Sequence, residues 1–132
     1  MLSRKNFTDM MELYKPLIMF MSFHGQNISR DQTVTYFESE SDGSADPIRK
    51  EYFQKCLPSS SYNEPRLLVL FLLGCESSAI AHPFKNVALV IVSTSHKIFD
   101  WACQYLSERL IQYLLIGKKC IYEAVKSAYD DL

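Results

Sequence analysis

The chain has 132 residues, 48% of them apolar, with 14 Lys or Arg against 15 Asp or Glu. That is the length of one ordinary domain, which buries roughly two-thirds of the surface its unfolded chain exposes. A charge balance this close to neutral carries no electrostatic footprint for nucleic acid, and that class of partner drops out.

Arg4 and Lys5 precede an apolar patch at residues 17–23, but Asp9, Glu12, Lys15 and Pro16 intervene, so the start does not read as a secretory signal. Asn6-Phe7-Thr8 and Asn27-Ile28-Ser29 have the form of glycosylation acceptors, which carry meaning only in a secreted protein, and are taken as chance. Phe7, Met10, Met11, Tyr14, Leu17, Ile18 and Met21 recur at helical spacing, predicting a helix over residues 3–24, kinked or split at Pro16 and ended by Gly25. A short helix over residues 29–38 follows. Residues 38–46 are polar and acidic and read as a surface loop, because their spacing lacks the ligand order of a calcium-binding loop.

Pro47 sits well at a helix start behind Asp46, and Ile48, Tyr52, Phe53, Cys56 and Leu57 then fall on one face. The stretch NEPRLLVLFLLG, residues 63–74, holds seven consecutive apolar residues without alternation, so periodicity alone separates neither a buried strand nor a buried helix. Asn63 as a cap and Pro65 in a first turn favour a central helix over residues 65–80, since a proline harms a central strand. A helical pattern runs from Phe84 to about Leu106, a capped helix from Ser107 to about Ile116, a break at Gly117, and a last amphipathic helix over residues 118–129. The expected fold is all-α, seven or eight helices wrapped around residues 65–80, in a single domain.

Catalytic signals are thin. His24, His82 and His96 lack metal-ligand spacing, and residues 117–120, GKKC, lack the second glycine and the Ser or Thr of a phosphate loop. Cys56, Cys75, Cys103 and Cys120 lie far apart with no Cys-x-x-Cys pair, which suits a reducing compartment. Sequence alone leaves open a cysteine nucleophile paired with a distant histidine. The chain is read as a non-enzyme without cofactor or metal, and no apolar run reaches the roughly 20 residues a membrane span needs.

NEPRLLVLFLLG resembles the first homology region of the Bcl-2 family of apoptosis regulators, in the short form that viruses carry: Asn63, Arg66 and Gly74 match, while Glu64 and Pro65 stand where Trp and Gly are usual. Residues 99–129 are similar to the second region and its flanks through Trp101, Tyr105-Leu106, Ile111-Gln112 and Gly117. Residues 26–46 show no third homology region, and the chain ends at Asp130-Asp131-Leu132 without an apolar tail. The resemblance implies a pro-survival protein of the host cytoplasm, recruited to mitochondria through partners, that holds the BH3 helix of a pro-apoptotic relative in an apolar groove. Arg66 would pair with the ligand's aspartate through two parallel N–H bonds. Asn63 would cap the helix or bond the ligand, Phe53, Leu57, Leu68, Val69 and Leu73 would line the groove, and Tyr129 would close one end. Trp101 and Gly117 read as a core aromatic and a helix stop. Two further readings are a relative that binds an innate-immune signalling adaptor, its groove closed or used in a homodimer, and a membrane-permeabilising effector.

Overall fold

The computed structural model describes residues 2–29, 32–57 and 66–132. It overturns the all-α expectation: the described residues form an α/β fold of four α-helices and six strands in two three-stranded sheets. The chain divides into two compact units, Met1–Lys97 and Ile98–Leu132.

In the first unit, α1 (Arg4–Asp9) starts at Ser3, whose hydroxyl accepts the N–H of Asn6, and a π-helical turn (Met10–Tyr14) extends it. The predicted helix stops there. Lys15 takes a left-handed backbone, Pro16 follows, and the apolar residues beyond become β1 (Ile18–Ser22). After Phe23 the chain runs straight into β2 (His24–Ser29), which pairs antiparallel with β3 (Gln32–Glu38), itself antiparallel to β4 (Ala45–Arg49). The helix expected over residues 29–38 is thus mostly β3. Its Val34, Tyr36 and Phe37 are strand formers, and Val34 and Phe37 are buried. The helix expected after Pro47 begins only at Lys50, as α2 (Lys50–Cys56), because Ile48 is still paired with Thr35.

Residues 67–73 form β5 (Leu67–Leu73), the middle strand of the parallel sheet β1-β5-β6. Its pairing with β1 sets Ile18 beside Val69 and Ser22 beside Leu73. β6 (Ala88–Ser93) lies on the other side, with Val90 beside Val69 and Val92 beside Phe71. A middle parallel strand is covered on both faces, so it reads as an unbroken apolar run with no polar side. Pro65 does not exclude the strand, because the ladder starts only at Leu67, past the proline.

One face of this sheet carries Met19, Met21, Leu70 and Leu72 into the core, where Phe7, Phe37, Phe53 and Phe84 meet them. The Phe7 and Phe53 rings stand edge to face at 5.4 Å, and Phe53 and Phe84 lie at 5.2 Å. Such pairs add about 0.5–1.5 kcal/mol beyond the area they bury. On the opposite face Phe20 and Phe71 stack at 4.5 Å.

The second unit is a helical hairpin, α3 (Asp100–Ile111) continued by a π-helical turn (Gln112–Ile116), then α4 (Ile121–Asp130). Gly117 ends the first arm, as the sequence predicts. Tyr113 donates to an Asp131 carboxylate oxygen at 2.5 Å, and Lys119 donates to Ser127 Oγ at 2.8 Å. Trp101 is no core aromatic: it is 61% exposed and stacks on exposed Phe99.

Candidate active site

The expected groove residues stand in different settings. Phe53, Val69 and Leu73 are buried, Leu57 is packed at the edge of the core, and Leu68 is 45% exposed. Arg66 is half-buried just ahead of β5. Tyr129, in the helical hairpin, is 71% exposed, and Asn63 lies outside the described residues. A helix over residues 65–80 was the wall of that groove. With a strand in its place, the residues that resemble the family's first region have a different role, which is to build the middle of a sheet.

In parallel sheets, reactive and ligand-binding groups gather at the carboxyl ends of the strands. Here β1 ends at Ser22 and is followed by Phe23-His24-Gly25, β5 ends at Leu73 and is followed by Gly74-Cys75-Glu76, and β6 ends at Ser93 and is followed by Thr94-Ser95-His96. The first two segments continue side by side past the ladder. The Phe23 N–H donates to the Leu73 carbonyl at 3.4 Å. A Cβ on Gly74 would stand 2.5 Å from the Phe23 carbonyl oxygen, and one on Gly25 would stand 2.4 Å from that of Cys75. These two contacts run the backbones of residues 23–25 and 74–75 side by side. The ladder ends with Ser22 beside Leu73, and His24 and Cys75 each follow two residues further along their own strand ends. His24 is exposed and Cys75 is half-buried.

The third segment fixes the loop that carries Cys75. The Glu76 N–H donates to the His96 carbonyl at 3.1 Å and the Ser78 N–H to that of Thr94 at 3.0 Å. Buried Ser77 donates to the Leu72 carbonyl at 2.6 Å and accepts the Thr94 N–H at 2.9 Å, while the Thr94 hydroxyl donates to the Gly74 carbonyl. Glu76 is held in the left-handed backbone region at φ 53°, which non-glycine residues seldom adopt. Its Oε2 is buried without a hydrogen-bond partner.

Sequence reasoning missed this arrangement because it read both runs as helix. The signal was nonetheless present. Two apolar runs end alike, each at a glycine next to a chemically capable side chain, His24-Gly25 after the first and Gly74-Cys75 after the second.

Elsewhere, a polar depression of about 330 Å³ is lined by Ser3, Asn6 and residues 38–43. Its Glu40 already accepts from the Ser3 hydroxyl and the Lys5 N–H, and Asp42 accepts from Ser44, so their hydrogen bonds belong to the fold. Among the described residues no group of His, Cys, Asp and Glu has the arrangement of a metal site, and no helix is long and apolar enough to cross a membrane. No family model matches the chain, and no curated protein matches it.

Proposed function

We propose that the chain is a thiol-dependent acyl hydrolase or acyltransferase in which Cys75 is the nucleophile and His24 carries the proton. The observation that supports this reading is the interlocked pair of strand ends: two glycines let residues 23–25 and 74–75 approach so closely that the histidine and the cysteine stand on adjacent backbones. A cysteine with a histidine in reach is the working pair of nucleophilic acyl transfer, and imidazole is the side chain best suited to take and return a proton near neutral pH.

The chemistry runs in two halves. His24 takes the thiol proton, Cys75 Sγ bonds to the acyl carbon, and the bond to the leaving amine or alcohol breaks as His24 returns the proton to that group. Water or another acceptor then attacks the thioester with His24 as base, the carbon–sulfur bond breaks, and the proton goes back to the thiol. None of the four cysteines forms a disulfide, and a reduced thiol keeps its reactivity in a reducing compartment such as the cytoplasm.

p-Nitrophenyl acetate tests the reading, since acylation releases one nitrophenolate per reactive thiol. The wild type is expected to give a burst of one equivalent per chain that Cys75→Ala removes and Cys120→Ser leaves intact. His24→Ala should slow that burst about 100-fold, within the range typical of a lost general base. An unchanged burst in Cys75→Ala would overturn the proposal.

A further inference from the structure

We infer that the turn of the helical hairpin, residues 113–122, docks on an anionic lipid bilayer, its aliphatic side chains entering the headgroup layer and its lysines meeting lipid phosphates. The inference is independent of the chemistry at Cys75. The π-helical turn Gln112–Ile116 ends in three consecutive aliphatic residues, and none of its residues is buried. Leu115 is 65% exposed, Ile116 79%, and Tyr122, just past the turn, 76%. α4 buries Ala124 and Ala128 instead. Single exposed apolar residues are ordinary on a surface, but large ones gathered at the end of a hairpin mark a site of interaction.

Charge selects the occupant. Between Arg109 and Tyr122 the only charged residues are Lys118 and Lys119, although the chain as a whole has a formal net charge of -1. Glu123 follows in the first turn of α4, with Lys126 three residues further along the same helix. Asp131 accepts from Tyr113 and lies 3.8 Å from Arg109, so that guanidinium offsets its charge. Lys118 is exposed, and Lys119 donates once to Ser127 and lies over the Tyr113 ring, which leaves two of its three N–H donors. The Gly117 N–H donates to the Gln112 carbonyl and the Lys119 N–H to that of Tyr113, both at 2.9 Å, so the turn is preformed and docking has little left to order. Lysines beside exposed aliphatic groups match a negative surface over an apolar layer. Each lysine near an anionic leaflet strengthens attachment about fivefold, and apolar burial adds to that. No helix among the described residues is long and apolar enough to cross a membrane, and the contact inferred is one at the surface.

Flotation of the intact chain with lipid vesicles tests the inference, one set made of phosphatidylcholine alone and one holding about 30% phosphatidylserine. The chain is expected to bind the anionic set at least about tenfold tighter, a preference that about 1 M salt should remove. Leu115→Ser/Ile116→Ser and Lys118→Glu should each weaken binding at least about tenfold and keep the urea midpoint of the wild type, since all three side chains are exposed. Equal affinity for both vesicle sets, no binding to either, or undiminished binding by Leu115→Ser/Ile116→Ser would overturn the inference. Self-association in place of vesicle binding, lost in that same double variant, would assign the turn to a second copy of the chain.

Discussion

Gly25 and Gly74 hold the two strand ends together from opposite sides: a Cβ on the first would meet the Cys75 carbonyl oxygen at 2.4 Å, and one on the second would meet the Phe23 carbonyl oxygen at 2.5 Å. Both obstacles are backbone, so neither can swing aside as a side-chain tip would. Gly25→Ala and Gly74→Ala should each destabilise the fold by about 1–3 kcal/mol, the usual cost of forcing extra atoms into a packed site. The drop would appear as a lower urea midpoint at unchanged m-value. Iodoacetamide modification of Cys75 should change in rate in the same two variants. Full stability in both would mean that the strand ends part easily and that their closeness positions nothing.

Ser77 makes the second link, between the ends of β5 and β6, by donating to the Leu72 carbonyl and accepting the Thr94 N–H. Ser77→Ala removes a buried hydroxyl and strands two backbone groups, at a cost of about 1–3 kcal/mol. Amide exchange should accelerate at Thr94 before it does in the middle of β5. If stability is lost without faster exchange at Thr94, the hydroxyl acts through packing and not through this bond.

The sequence carried its information unevenly. Helical spacing correctly marked Phe7 on α1, Met11 on the π-helical turn that extends it, Tyr52 and Phe53 on α2, and the last helix, because each of these has one dry and one wet face, and Gly117 marked a stop. The parallel sheet was illegible for the opposite reason. β5 is covered on both faces and is mostly Leu and Phe, so neither alternation nor β-branching distinguished it from a buried helix. β1 was hidden differently: Leu17, Ile18 and Met21 happen to continue the stripe of α1, and only Pro16 marked the change. The candidate site depends on which strands are neighbours. His24 and Cys75 lie far apart in the chain, and nothing local to either one reveals that β1 pairs with β5.

Phe53 and Leu68, both expected to line a ligand groove, should now behave oppositely. Phe53 is fully buried among Phe7, Phe37, Tyr52 and Phe84, so Phe53→Ala opens a cavity at the centre of the core and should cost about 3–5 kcal/mol. Leu68 is 45% exposed, and Leu68→Ala should change stability by no more than about 0.5 kcal/mol. Urea titration of the two variants beside wild type decides it. A large loss at Leu68 would mean that this side chain itself is packed against something.

Arg4 and Asp46 form a fork-to-carboxylate pair, Nε to Oδ2 at 2.6 Å and Nη2 to Oδ1 at 2.9 Å, that ties α1 to β4. The bond from Arg4 holds the Asp46 carboxyl below its ordinary 3.8. Since the folded pKa lies under the unfolded one, the pair's contribution is fully present above the ordinary carboxylate value and is lost as pH falls through the lowered one. Both side chains are partly open to solvent, 47% and 24% exposed, so screening limits the coupling to under about 1 kcal/mol. The Arg4 guanidinium also lies 5.0 Å from the centre of the Tyr52 ring, a contact indifferent to the charge on Asp46. A double-mutant cycle with Arg4→Ala and Asp46→Asn separates the two effects. Its coupling energy should be constant from pH 7 down to about 5, shrink below 3.8, and halve or better in 1 M salt, while the residual cost of Arg4→Ala in the Asp46→Asn background stays the same across that range. A coupling that persists undiminished after Asp46 is protonated would assign it to the geometry of the α1–β4 contact and not to charge.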